Sequence, residues 1–183
     1  MIRSFAVAVC MCALAFGGRA AAAEVFTGAF AHSLNLHISA GDEEHGVDGE
    51  LGYRTDRVDA LHLIGRPRVY GLISKNFSGQ TDFASVGLLW RHGFGSRVYA
   101  QAGIGLAIHD GVAYPSELKG RKDRVVLGSR VLFEPEITFG VKLGHRIAVE
   151  AGWVHISNGH IWTDINPGMD SLGGRLVYRL GGE

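Results

Sequence analysis

The sequence predicts an all-β protein, an eight-stranded antiparallel barrel that crosses a membrane. Three observations carry this reading. Period-two alternation of apolar and polar residues recurs along the chain, interrupted by Gly, Asp and Asn clusters, and no long segment keeps a 3.6-residue apolar period. The alternating segments are nearer the ~9–11 residues a tilted strand needs to cross a bilayer than the ~5–6 residues common in soluble sheets. The faces opposite the apolar stripes carry Glu134, Glu136, Lys142, Arg146, Glu150, Arg175 and Arg179. That is too much charge for a dry core, but it suits a barrel with apolar side chains towards lipid and charges paired inside. A soluble lipid-binding barrel has the opposite arrangement and is the structural alternative.

Composition agrees. The chain has 183 residues, 46% hydrophobic and 20% charged, with 27 glycines and 18 basic against 18 acidic side chains. The zero net charge argues against a polybasic nucleic-acid binder. The apolar content argues against disorder, and the glycine content suits turns and strands better than helices, where each interior Gly costs roughly 1 kcal/mol relative to Ala.

The first segment is expected to lie outside the barrel. Met1–Arg3 gives a positive start, Ser4–Phe16 an apolar run, and Ala20–Ala23 a small-residue cleavage context. Residues 1–23 therefore read as a secretory signal peptide, with 24–183 as one barrel domain. A transmembrane anchor is the alternative, but the run is short for ~30 Å of hydrocarbon. Cys10 and Cys12 both lie in this segment, and the remaining chain keeps 16 basic and 18 acidic residues with no cysteine. An exported chain without cysteine must be held by its own sheet.

Taken in order, the first strand places Phe26, Gly28, Phe30, Leu34, Leu36 and Ile38 on one face, where His32 also falls, with Ser33, Asn35, His37 and Ser39 opposite. Asp42-Glu43-Glu44 reads as a solvated loop. The second strand lies around Leu51–Thr55, the third near Arg68–Ser74 and the fourth near Phe83–Trp90. The fifth aligns Val98, Ala100, Ala102, Ile104, Leu106 and Ile108. The sixth aligns Val131, Phe133, Ile137, Phe139 and Val141, with Arg130, Glu134, Glu136 and Lys142 opposite. Pro135 interrupts it and is expected to sit at a bulge, since proline cannot donate to the ladder. The seventh strand runs from Arg146 to Ser157 and the eighth from Asp170 to Leu180. Tyr70, Tyr99, Tyr178, Trp90, Trp153 and Trp162 are expected in interfacial belts.

The candidate chemistry sits in the last two strands. His155 and Ser157 are two residues apart and share a face with Ile147, Val149, Ala151 and Trp153. Asp170 has the parity of Leu172, Gly174, Leu176, Tyr178 and Leu180. Three residues able to form an acid–His–Ser relay thus fall on apolar stripes, where polar groups are costly unless used. The bland reading is that polar residues near strand ends are ordinary at an interface, and a His-x-Ser pair alone is a weak signal. A triad is recognised by geometry, not chain order.

His155-Ile-Ser157-Asn158-Gly159, followed by Asn166-Pro167-Gly168-Met169-Asp170-Ser171, resembles the signature of the outer-membrane lipid A 3-O-deacylase family, PagL-type. Ala102-Gly-Ile-Gly-Leu-Ala107 and Phe133-Glu134 match as well, and the resemblance spans Val98 to Leu180. It implies an outer-membrane barrel that hydrolyses the ester-linked acyl chain at position 3 of lipid A in lipopolysaccharide. By motif Ser157 is the nucleophile, His155 the base and Asp170 the acid, a residue that is Glu in some members. Asn166, helped by Asn158 or backbone N–H groups near Gly159, is the implied oxyanion stabiliser. No metal or other cofactor is required. The partners implied are lipid A and outer-membrane lipids, not nucleic acid; a homo-oligomer is left open.

Other signals are weaker. His32, His37, His45, His62, His92, His109, His145 and His160 show no helical zinc spacing. Gly93-Phe-Gly95 and Gly103-Ile-Gly105 have no helix to receive a phosphate. The rival reading from another class is a non-enzymatic barrel with a structural or adhesive role.

Overall fold

The computed structural model describes residues 23–36, 44–161 and 163–181. Eight strands follow one another: β1 (Ala23–Ala31), β2 (Val47–Arg57), β3 (Arg68–Asn76), β4 (Phe83–Phe94), β5 (Val98–His109), β6 (Val131–Lys142), β7 (Ile147–Ile156) and β8 (Met169–Leu180). Each pairs antiparallel with its neighbour, and β1 pairs with β8 from Ala23↔Leu180 to Ala31↔Leu172, so the sheet closes into a barrel. The expected strand order and fold class are the observed ones. The expected leader 1–23 lies outside the described residues except for Ala23, where β1 begins.

Parity decides the rest. On β5 to β8 the expected apolar stripes form the outer wall, with Ile104, Leu106, Ile137, Phe139, Val149 and Leu176 all exposed. Inside, Arg175 donates to Glu50 at 2.8 Å and to Glu136 at 2.7 Å. Arg54 donates to Gln101 at 2.9 Å and Glu150 at 2.8 Å, and Arg91 grips both carboxylate oxygens of Glu24. An apolar outside and a charged inside is the reverse of a soluble lipid-binding barrel. Charges out of water are tolerated here because each is paired and hydrogen-bonded.

The structure corrects several expectations. Phe26 and Phe30 face the lumen, not the outer wall. The guanidinium of Arg54 lies 4.6 Å and that of Arg175 4.9 Å from the Phe26 ring centre, so the aromatic face serves the ion-pair network. Tyr70 and Tyr99 are likewise lumenal rather than interfacial, bonded to Glu134 and Glu150. Trp162 falls outside the described residues. The first strand stops at Ala31 and does not continue through Leu34 and Leu36, because Ser33 takes a left-handed φ of 51°; Ile38 lies outside the described residues. Strands β2 and β4 run further than expected. Pro135 makes no bulge: its register with β5 is unbroken at Ile104↔Pro135. Instead the ladder to β7 opens between Glu136↔Val154 and Phe133↔Ser157, the gap left by the missing N–H.

One end of the barrel carries the three longest connections, 32–46, 110–130 and 157–168, together with the short 77–82; the other carries 58–67, 95–97 and 143–146. Glu44, expected in solvent, is a buried hub of the long-loop end; Asp42 and Glu43 lie outside the described residues. Its carboxylate bonds His32 Nε2 at 3.0 Å, both the N–H and hydroxyl of Thr81 at 2.8 Å, and the N–H of Val125 at 3.3 Å. His32 Nδ1 meets Asp48 at 2.8 Å. Three loops are thereby tied to one carboxylate.

Burial alone would lower the His32 pKa, but hydrogen bonds and charge from Asp48 and Glu44 raise it to about 9. The folded value lies above the unfolded one of 6.5, so the stabilisation is complete below pH 6.5 and is lost as pH rises through 9. A neutral imidazole donates to only one of the two carboxylates. Limited proteolysis of loop 110–130 should therefore accelerate several-fold between pH 6.5 and 9.5, and His32→Gln should flatten that profile; a flat profile in the parent chain would contradict the hub.

Candidate active site

The β7–β8 register places His155 directly opposite Asp170, at the close side-chain spacing of a cross-strand pair. His155 Nδ1 donates to Asp170 Oδ1 at 2.9 Å. With Asp170 as acceptor the hydrogen is on Nδ1, and a neutral imidazole in that tautomer offers Nε2 as an acceptor. The same Oδ1 accepts the Trp153 Nε1 hydrogen at 2.8 Å. Trp153, expected only as a belt residue, also stacks on the imidazole, with ring centres 5.8 Å apart and planes 24° from parallel. Asp170 has the parity of the outer stripe, yet it is fully buried beside Trp153 and His155.

Ser157 follows on the face of His155, just past the end of β7. Its backbone is held by reciprocal bonds with Phe133, 2.7 and 3.1 Å. The bracketing pairs of β6 and β7 put Pro135 opposite His155, so His155 stands between a proline on one side and its acid on the other.

The loop residues fall into two roles. Asn158 is fully buried; its two amide hydrogens go to the carbonyls of Leu127 at 2.8 Å and Ile165 at 2.6 Å, and its carbonyl accepts from His160 N at 2.8 Å. Its side chain is therefore a clamp between loops 110–130 and 157–168, with no amide hydrogen left for a reacting oxygen. Asn166 Oδ1 accepts the Asn158 N–H at 2.8 Å, while its Nδ2 reaches only the exposed His160 ring at 3.3 Å. Gly159, in a left-handed turn with φ 63°, lies between them. Among the described residues, no group of three or more His, Cys, Asp or Glu is arranged to hold a metal.

Sequence reasoning missed three supports. Trp153 was signalled only by its parity with His155. Gly128 faces the second loop: a Cβ there would lie 2.0 Å from Ile165 O and 2.5 Å from Asn158 Nδ2. Gly168, at φ 67°, lies close to the His155 ring: a Cβ would lie 2.8 Å from His155 Cε1 and 3.3 Å from Nε2. Only glycine combines that φ with that approach.

A small antiparallel barrel carrying a buried acid–histidine pair beside a serine on its outer rim belongs to the class of β-barrel hydrolases. Residues 60–179 match the lipid A 3-O-deacylase (PagL) family, a span that includes β3 to most of β8 and every site residue. The chain belongs to this family and is a lipid A 3-O-deacylase, an enzyme of ester hydrolysis. Among solved structures it is similar to the outer membrane enzyme PagL, at 17% identity over 85% of this chain and 98% of that chain, TM-score 0.58. It is also similar to Neisserial surface protein A (15% identity, 85% and 96% covered, TM-score 0.52) and to the de novo designed TMB2.3 (12%, 88% and 96%, 0.52). At these identities the structures speak to the fold. Comparison with curated proteins returns no match.

The contact between Gly168 and the imidazole makes a prediction. Gly168→Ala should displace His155 and lower kcat by about 100-fold, the scale of an ångström-level misplacement. The barrel should still form, checked by heat-modifiable gel mobility. Near-parent kcat would show that the ring is not held there.

Proposed function

We propose that the chain hydrolyses the 3-O-ester of lipid A with a Ser157–His155–Asp170 triad on the outer barrel surface, at the outer-leaflet rim of the outer membrane. The Asp170–His155 hydrogen bond, on the strand face that Ser157 shares, is the observation that carries it. A serine hydroxyl needs an adjacent base. Ser157 Oγ attacks the ester carbonyl carbon while its proton passes to His155 Nε2. Asp170 holds the tautomer and stabilises the imidazolium. When the tetrahedral intermediate collapses, the same proton moves to the departing sugar hydroxyl. Water, deprotonated by His155, then attacks the acyl-serine, and His155 returns that proton to Ser157 Oγ as the hydroxy acid leaves.

Oxyanion stabilisation falls to Asn166 Nδ2 and the Gly159 N–H, with Asn158 positioning both. One preorganised donor of this kind is worth about 3–4 kcal/mol in the barrier. The site's end of the barrel carries the longer loops, the external end in barrels of this type, and lipid A lies in the outer leaflet. The ester reaches a site on the outer wall by lateral diffusion, and the charged lumen serves structure. Residues 1–23 act as the export signal; Glu24, the first residue after the cut, is then the lumenal partner of Arg91.

Mass spectrometry of lipid A tests the chemistry. Ser157→Ala and His155→Ala should each abolish loss of one hydroxyacyl group, with the double variant no worse than either single, because members of a relay are non-additive. Asp170→Glu should retain part of the activity and Asp170→Asn far less, about 10⁴-fold below the parent, through the wrong tautomer. Near-normal turnover by Ser157→Ala would remove the serine from the mechanism.

The facing of the site has its own measurement. A spin label on Ser157→Cys in a bilayer should be relaxed more by oxygen dissolved in lipid than by a membrane-impermeant aqueous agent. Relaxation mainly by the aqueous agent would place the site away from lipid.

A further inference from the structure

Beyond the triad, loops 110–130 and 157–168 enclose an open cleft of about 570 Å³, lined by Leu118, Arg121, Lys122, Arg124, Val126 and the Ile165–Pro167 segment. Three of its walls are cationic and none is acidic. Arg121 and Lys122 are exposed; Arg121 reaches only the Leu118 carbonyl of its own loop at 3.5 Å, and Lys122 has no ion pair among the described residues. Asp123 lies between Lys122 and Arg124 in sequence, exposed and also without an ion pair among the described residues.

Arg124 is different. Its side chain is 15% exposed, anchored by Nη2 to the Gly79 carbonyl at 2.5 Å, with Glu44 3.9 Å from Nη1 and its buried Nε without a partner. The hub carboxylate that ties the loops also steadies this guanidinium. By contrast Arg130 of the same loop is neutralised by Glu117 at 2.7 Å. Two exposed cations without an ion pair among the described residues, beside a third whose carboxylate is shared with His32 and Thr81, make the cleft electropositive and favour an anion there.

The cleft adjoins the reacting groups. Its Asn166–Pro167 wall leads directly into Gly168, which presses on His155. The ester at position 3 of lipid A and the phosphate at position 1 sit on one glucosamine ring, so a substrate with its ester at the site would carry that phosphate close by. Below the cleft, the apolar outer wall is left for the acyl chains.

We propose that Arg121, Lys122 and Arg124 bind the phosphate of the substrate's own glucosamine and thereby orient the 3-O-ester towards Ser157. This rests on the triad placement above and goes beyond it by assigning the headgroup determinant.

The test compares purified full-length protein and Arg121→Gln/Lys122→Gln in neutral detergent micelles. Each acts on lipid A that retains the position 1 phosphate and on lipid A from which it has been removed. Removing the phosphate should raise KM for the parent about tenfold, as should the double substitution on the phosphorylated lipid, with the loss in KM rather than kcat. Applied together the two changes should be no worse than either alone. Additive losses, or no change in KM, would overturn the proposal.

A second arm adds phosphatidylglycerol to the micelles at equal surface concentration. Parent KM for the phosphorylated substrate should hold. A tenfold rise that the double substitution abolishes would mean a general anionic-headgroup site and overturn substrate-phosphate recognition. Absence of hydroxy acid release from either lipid A by the parent would instead sink the triad reading. In that case, binding of both lipids to Ser157→Ala, measured by tryptophan fluorescence, still decides the cleft: preference for the phosphorylated lipid supports it and equal affinity overturns it.

Discussion

A strand in hydrocarbon finds no water for its backbone, and each unsatisfied group there costs several kcal/mol. The β1–β8 pairing removes the last free edge, and from it the remaining order follows. Once the sheet is closed, every residue is committed to the lumen or the outer wall by parity, and a one-residue slip would exchange the two sets completely. Closure therefore fixes at one stroke that Glu134, Glu136, Glu150 and Arg175 meet inside and that His155, Ser157 and Asp170 share the outside.

The lumen is the consequence that must be offset most carefully. Arg175 bridges carboxylates on β2 and β6 while Phe26 and Phe30 cover its face. Arg54 similarly links β2 to Gln101 on β5 and Glu150 on β7. Such pairs span strands that are not neighbours in the sheet, so they hold the cross-section of the barrel as well as satisfying each charge. Removing one partner would strand a buried charge, which costs about 3–5 kcal/mol. That penalty makes the interior a poor place for a reaction whose groups must change protonation state, and His155, Ser157 and Asp170 lie on the other side of the wall.

How much of this was legible in the sequence depended on whether a residue type reveals its face. On β5 to β8 the aliphatic stripes alternate with carboxylates and arginines, so both the parity and the outward position of His155, Ser157 and Asp170 could be read directly. On β1 the same rule failed, because Phe26 and Phe30 inside a cation-rich lumen look identical in sequence to aromatics facing lipid. Tyr70 and Tyr99 misled for the same reason. Glu44 read as solvent-exposed because its partners come from Thr81, His32 and Val125, distant in the chain and invisible to any local pattern. Asn158 was legible as a site residue but not as a clamp, since its function is set by the carbonyls of Leu127 and Ile165.

The site therefore divides between two kinds of support. His155 and Asp170 stand on adjacent paired strands, where geometry is set by the ladder and Trp153 donates to the same acid oxygen as His155. Asn158, Gly159 and Asn166 stand on a loop, and loops are mobile by default; here the Asn158 clamp and the Glu44 hub bind the loops to one another and to the barrel rim. The division matches what ester hydrolysis at a membrane surface demands. In the proposed mechanism the relay draws its ångström precision from the rigid wall, and the loops above it receive the polar headgroup. Asn158 joins the loop carrying Arg121 to the loop carrying Asn166 and Gly168, so the cationic cleft and the segment beside the His155 imidazole share one buried anchor.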